Sequence, residues 1–322
     1  MDCTLQQIAE RIKKANRVLI VGHMRPDGDA VGSALALSTA LEKLHIPSEV
    51  CIESQLPSNL QFIDGVEKIK KAPQEEYDLF VAVDCSDDNR FGGLQEEFFL
   101  AKRKRIDTVN IDHHISNLHF AKYNFVQKCS ANCMNMATLI KYMGVPFDKK
   151  IAEYLLVGLL TDSGNFSHDD VTEETLMLAS ELVKAGADIR YYNYMLFKRQ
   201  PKARAALFGR VMSGIRYFHQ DRFAVAVIPK QTMDELGADI GMTEGFVDFP
   251  LNVDTVEVAA TLFEVKKGQY KISLRSKNYA DVNKIAGCYG GGGHVRAAGC
   301  MLFGDVEDIL DRLSYTVSQY LE

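Results

Sequence analysis

Arg17-Val18-Leu19-Ile20-Val21-Gly22-His23-Met24-Arg25-Pro26-Asp27-Gly28-Asp29 carries the strongest signal of fold class in the chain. Its first half is an apolar run without alternation, which reads as a strand covered on both faces rather than one with a wet side. A polar Pro-Asp-Gly loop ends the run, and the helical pattern Ala30 to Leu44 follows at once. Strand, loop and helix in that order open a βαβ unit. Runs of the same kind return at Ser48 to Ile52, Asp78 to Asp84 and Thr108 to Asp112. The prediction is an α/β fold with a mostly parallel sheet covered by helices on both faces.

Helices are expected at about 131–143, 149–161 and 172–187, followed by the basic segment Lys198-Arg199-Gln200-Pro201-Lys202-Ala203-Arg204. Beyond it the pattern changes to strands at Phe223 to Ile228, Val256 to Val265 and Tyr270 to Arg275, with a hairpin turn at Lys266 to Gln269. A helix near 280–288, a loop from Gly290 to His294, a strand at 298–303 and a last helix from Asp305 complete the chain. The boundaries read as a first domain over 1–190, a linker over 191–204 and a second, smaller α/β domain over 205–322, expected across a cleft from the first.

The length of 322 residues suits two such domains, each with its own core. Lys plus Arg number 37 against 43 Asp plus Glu, a net charge of −6, so there is no global basic field for long duplex nucleic acid. An anionic partner needs a local site. No apolar run is long enough to span a bilayer and the N-terminus lacks the regions of a signal peptide, so no membrane is expected and a cytoplasmic location is. Seven cysteines without a CxxC pair argue for reduced thiols rather than a disulfide framework or a thiolate zinc site.

The chemistry gathers where strands end, which is where open α/β sheets hold ligands. His23, Asp27 and Asp29 follow the first strand, Asp84 closes Phe80-Val81-Ala82-Val83, and Asp112-His113-His114 closes Val109-Asn110-Ile111. Asp162 opens the loop after the apolar helix Tyr154 to Leu160. Each has a plainer reading alone: Asp27 as a helix cap, Asp162 as a solvated helix end. Together they are nitrogen and oxygen ligands for hard divalent ions, and more of them than one ion needs. Two ions clamp a phosphoryl group and lower the pKa of a shared water, and they supply the positive charge that five clustered carboxylates lack.

His23-x3-Asp27-x-Asp29, Asp84, Asp112-His113-His114 and Asp162, in that order, resemble the four motifs of the DHH phosphoesterase superfamily. Tyr289-Gly290-Gly291-Gly292-Gly293-His294-Val295-Arg296-Ala297-Ala298-Gly299 resembles the glycine-rich motif of its associated C-terminal domain. The resemblance spans nearly the whole chain. It implies that His23, Asp27 and Asp84 hold one manganese ion and that Asp29, Asp84, His113 and Asp162 hold a second, with Asp84 bridging. It further implies that Asp112 orients its neighbours and that His114 faces the scissile phosphate. Arg275, Gly291, Gly292, Gly293 and His294 are implied to bind a substrate phosphate, and Arg90 to touch one.

The implied activity is hydrolysis of short single-stranded oligoribonucleotides to mononucleotides and of adenosine 3′,5′-bisphosphate to AMP, by a homodimer on base rates. Cleavage of linear or cyclic dinucleotides of the pApA type is the alternative within the same chemistry. A non-catalytic RNA- or nucleotide-binding module is the alternative outside it, and the unbroken set of acidic and imidazole ligands stands against that.

Overall fold

In a computed structural model, residues 1–321 are described, and the chain divides into two compact units, 1–199 and 200–322. The first contains α1 (Leu5–Ile12), β1 (Val18–Val21), α2 (Gly28–Lys43), β2 (Ser48–Cys51), β3 (Leu79–Val83), α3 (Gln95–Arg103), β4 (Asp107–Asp112), β5 (Tyr123–Val126), α4 (Asn132–Tyr142), α5 (Lys149–Asp162), α6 (Glu173–Lys184) and α7 (Ile189–Asn193). Its five strands pair in parallel in the order β2-β1-β3-β4-β5. The chain moves one way from β1 to β2 and the other way from β3 onward, which puts the switch point of the sheet between β1 and β3.

Burial explains why these strands lack alternation. Val18, Ile20, Leu79, Val81 and Val83 enter the core under α1, α2, α4 and α5, whereas Leu19, Val21, Phe80 and Ala82 pack on the opposite face with Phe91, Phe98 and Ala101. Both faces are dry, so neither is marked by polar residues. Phe80, Phe91 and Phe98 stack pairwise with centroids 5.4–5.7 Å apart.

Residues 191–204, expected to be a linker, are mostly helical. Tyr194–Lys198 extends α7 as a π-helical turn, and α8 (Lys202–Met212) already belongs to the second unit. That unit continues through β6 (Arg216–Phe218), β7 (Phe223–Ile228), α9 (Lys230–Leu236), α10 (Asp248–Leu251), β8 (Val258–Lys266), β9 (Gln269–Ser276), α11 (Val282–Gly287), β10 (Gly292–His294), β11 (Ala297–Phe303) and α12 (Val306–Ser318). Its six-stranded sheet runs β10-β11-β9-β8-β7-β6, antiparallel except for β7 with β8. Among the described residues no helix is long and apolar enough to cross a membrane.

The glycine run is not a free loop from Gly290 to His294, because Gly292–His294 forms the edge strand β10 against β11. A Cβ on Gly291 would stand 2.3 Å from the Gly299 carbonyl oxygen, and one on Gly293, at φ 154°, 2.4 Å from that of Ala297. Missing side chains let two backbones close into a tight hairpin.

A second glycine position governs the first unit. α2 and α5 cross where Gly158 faces Asp29, and a Cβ on Gly158 would lie 2.3 Å from Cys133 Sγ and 2.5 Å from Asp29 Oδ1. Alanine in a helix interior ordinarily stabilises by about 1 kcal/mol over glycine. Here overpacking opposes it, so Gly158→Ala should lower the unfolding free energy by about 1–3 kcal/mol in urea titrations. A stability gain would show that the crossing has room to relax.

Candidate metal centre

The loops after β1, β3 and β4 converge at the carboxyl edge of the sheet. Asp84 sits at φ 55°, in the left-handed region that a non-glycine residue rarely occupies, with its N–H donating to the Ile111 carbonyl at 3.0 Å. That turn aims the buried carboxylate so that its oxygens part. Oδ2 lies 3.6 Å from His23 Nε2, and Oδ1 lies 3.4 Å from His113 Nε2.

Each remaining group is placed by an adjoining element. Asp27 is the N-cap of α2: its Oδ1 accepts from the N–H groups of Asp29 and Ala30, both at 3.0 Å, while its Oδ2 stands 3.6 Å from His23 Nε2. The cap therefore occupies one oxygen of this residue and leaves the other turned toward the His23 imidazole. Asp162, the last residue of α5, brings Oδ2 to 3.3 Å from His113 Nε2. Asp29 is fully buried and accepts from the N–H groups of Asn132 and Cys133, the latter at 2.9 Å. It thereby caps α4, whose own N-cap, Ala131, has no side-chain acceptor.

His23, Asp27 and Asp84 form one cluster whose donor atoms lie within 4.8 Å of each other, and Asp29, His113 and Asp162 form a second. Asp112 and His114 fall within the same distance of Asp84 and His113. The Asp112 carboxylate is engaged elsewhere, however, accepting from His114 Nδ1 at 2.8 Å and Asn117 Nδ2 at 2.6 Å.

The donor set fits divalent ions on three counts. Among the described residues, His23 Nε2, His113 Nε2 and Asp84 Oδ1 are buried and find no hydrogen-bond partner, an expensive state for polar atoms. His113 approaches the Cys129 carbonyl through Nδ1 at 2.9 Å, the tautomer that leaves a lone pair on Nε2, and His23 likewise turns Nδ1 away from the cluster, 2.9 Å from the Met24 carbonyl. Ligands about 2.1 Å from one ion stand about 3.0–3.4 Å apart at octahedral or tetrahedral angles, close to the spacings observed here.

Protonation tells the same story. Burial raises the carboxyls of Asp29 and Asp162, and the neighbouring Asp84 charge adds to it, so both titrate well above the usual carboxylate range. Burial works against the charged imidazoles too, yet the surrounding carboxylates outweigh it at His23 and His113 and pull their pKa values up. Burial would raise Asp84 as well, but the charge of the His113 and His23 imidazoles beside it outweighs burial and pulls its pKa down. The pocket is short of positive charge and takes it from protons when it has no other source.

Arg90 lies at the rim, its guanidinium 3.2 Å from His23 Nδ1 and its carbonyl accepting from Met24 N–H at 2.7 Å. In the second unit, strand register puts His294 opposite Ala297 and Ala297 opposite Arg275. His294 and Arg275 thus share one face of the sheet with a small side chain between them. Arg275 Nε is 3.7 Å from Asp248 Oδ1, and its NH1 donates to its neighbour's carbonyl at 3.0 Å. The N–H groups of Gly291 and Gly293 are engaged within the unit, by Ala286 O at 3.0 Å and Asn283 Oδ1 at 2.8 Å, while His294 is exposed. Sequence reasoning missed Asn117, whose only signal was an amide three residues after His114 in a polar loop. It also left Arg296 unassigned. That guanidinium donates to the carbonyls of Asn278 and Ala280, while the buried Glu257 carboxylate accepts the N–H groups of Asn278, Tyr279 and Ala280.

Residues 17–159 match the model of the DHH family, N-terminal domain, and residues 220–321 match the DHHA1 domain. The bifunctional oligoribonuclease and PAP phosphatase NrnA of Thermus thermophilus is 30% identical, covering 98% of this chain and 94% of that protein. A probable NrnA of Streptococcus mutans is 26% identical over 95% and 96%. The crystal structure of an exopolyphosphatase-related protein from Bacteroides fragilis superposes with a TM-score of 0.82 at 25% identity, covering 98% and 96%.

If these donors are an ion cage, metal-stripped protein should be markedly stabilised by manganese. Saturation at 100 times the dissociation constant contributes about 2.7 kcal/mol, or an unfolding midpoint roughly 5–10 °C higher in a thermal melt. A shift below about 1 °C would count against the cage.

Proposed function

The chain belongs to the DHH phosphoesterase family, with a DHHA1 domain at residues 220–321, and from that premise we propose that it is a metal-dependent hydrolase that degrades short oligoribonucleotides to mononucleotides and converts adenosine 3′,5′-bisphosphate to AMP. The observation that carries this reading is the buried cage at the β1–β3 switch point, with its orphaned His23, His113 and Asp84 atoms. Relatives that span both units bear both activities in their names.

In this reading His23, Asp27 and Asp84 hold one divalent ion, and Asp29, Asp84, His113 and Asp162 hold the other. Such ions supply a Lewis acid for the phosphoryl charge and a water of lowered pKa. A donor set of nitrogen and oxygen without thiolate suits manganese. His114, held through Nδ1 by Asp112, presents Nε2 to the substrate, where a second proton on that nitrogen makes an imidazolium that stabilises phosphoryl charge or protonates the leaving oxygen. Arg90 adds a fixed cation at the rim. Arg275 and His294 bind the substrate's terminal phosphate, with the glycine hairpin holding His294 in register. An anchored terminal phosphate favours short chains and bisphosphorylated nucleosides over long RNA.

Incubation with manganese and 5′-labelled oligoribonucleotides of graded length, with adenosine 3′,5′-bisphosphate in parallel, tests the assignment. Mononucleotide from the shortest chains and AMP from the bisphosphate are expected. Tight binding without turnover would identify a non-catalytic module, and turnover confined to pApA would identify a dinucleotide phosphodiesterase. Asp84→Ala should abolish nearly all turnover, and activity within a few-fold of the parent would refute the bridging role. Arg275→Ala removes a charge-assisted contact of about 1.5–3 kcal/mol, so KM for the bisphosphate should rise roughly 10- to 150-fold, with ion stoichiometry unchanged in calorimetric titration. Equal damage on a phosphodiester lacking a terminal phosphate would contradict the anchoring.

A further inference from the structure

Asp112 is fully buried at the end of β4, and among the described residues no cation pairs with it. Its Oδ1 accepts from His114 Nδ1 at 2.8 Å and its Oδ2 from Asn117 Nδ2 at 2.6 Å. The Asn117 amide stands 2.8 Å from Asn110 Oδ1 and 3.1 Å from the Cys85 carbonyl, and Asn110 Nδ2 reaches that carbonyl as well. On its other side Asn117 Oδ1 accepts from His119 N–H at 2.7 Å. These partners leave one orientation for the amide, since a flip would set its oxygen against three acceptors and its NH2 against a donor.

Asp112 lies within 4.8 Å of Asp84 and His113 in the ion cage. A carboxylate so close to a cation site is drawn toward the ion unless both oxygens are satisfied where they stand. We propose that Asn117 is a positioning residue: its Nδ2–H holds Asp112 away from the cage, so that Asp112 fixes His114 with the proton on Nδ1 and Nε2 turned outward. Nothing else in the loop does this, because the backbone ties of the same turn, Asn117 N–H to His114 O at 3.1 Å and Leu118 N–H to Ser86 O at 2.9 Å, shape the chain without touching the carboxylate. The inference rests on the reading of His114 as the group that faces the phosphate.

Two variants test it with pApA and manganese. Asn117→Asp is isosteric and keeps an acceptor for His119 N–H, so the turn survives, but it puts an acceptor against Asp112; Asn117→Ala removes the side chain. Both should lower kcat about 10- to 100-fold, the usual cost of losing a partner behind an active-site group. KM should stay within about threefold, and calorimetry should still count the parent's number of ions. His114→Ala combined with Asn117→Ala should be no slower than His114→Ala alone, because the amide acts only through that imidazole. Nitrogen-15 spectra of the metal-free protein should show the Nδ1–H tautomer of His114 in the parent and its loss in Asn117→Asp. Parental kcat in Asn117→Asp, multiplicative losses in the double variant, or an unchanged tautomer would each overturn the proposal. Parental kcat in His114→Ala would instead remove the reading of His114 on which it stands.

Discussion

The Asp84 carboxylate, divided between the imidazoles of His23 and His113, is the contact around which the first unit is arranged. It exists only because β1, β3 and β4 are neighbours in the sheet and because residue 84 accepts a left-handed turn. Backbone strain of this kind costs of order 1–3 kcal/mol and persists where the surroundings over-determine it. The hydrogen bond to Ile111 and the dry packing of Val83 and Cys85 do so here. Around this one side chain, Asp27, Asp29 and Asp162 add acidic groups that, among the described residues, no lysine or arginine offsets in the cage, and the buried imidazoles are left to balance them.

Much of this was legible in the sequence for a physical reason: strands dry on both faces are continuous apolar runs, and open sheets gather ligands at their carboxyl ends. Asp84 and Asp112-His113-His114 close such runs, and the cage forms where they end. Other parts were hidden. β5, an edge strand with one fully buried residue, and α3, with two, carry too little apolar pattern to announce themselves. The glycine run was misread as a loop because a glycine needed for a close backbone approach looks, in one dimension, like one needed for a turn. Asn117 and Arg296 act through contacts that depend on the tertiary path, which the local sequence marks only faintly. Asp27 allowed two readings, cap or ligand, and its two oxygens accommodate both.

The second unit meets the same problem of orienting polar groups by different means. Glu257 and Arg296 clamp residues 278–280 from opposite sides, one through N–H groups and the other through carbonyls. Burial alone would raise the Glu257 carboxyl, yet the N–H groups of Ala280, Tyr279 and Asn278 hold it below the usual range. The folded-state pKa is depressed, so the contribution of this anchor is complete above the unfolded value and fades as pH falls through the folded one. Arg275 and His294 lie on strands that the clamped segment and the glycine hairpin brace, which is how two unlike side chains come to share one row of the sheet.

Asp29 carries a consequence of another sort. Its carboxylate closes the first turn of α4 in place of the incapable Ala131 while standing beside His113 and Asp162. A lineage drifting away from this chemistry could shed His23 or Asp162 and keep its architecture, but discarding Asp29 would also uncap a helix, at about 0.5–2 kcal/mol. The aspartate should therefore outlast the activity in any descendant that has lost it, a fossil preserved by folding rather than by use.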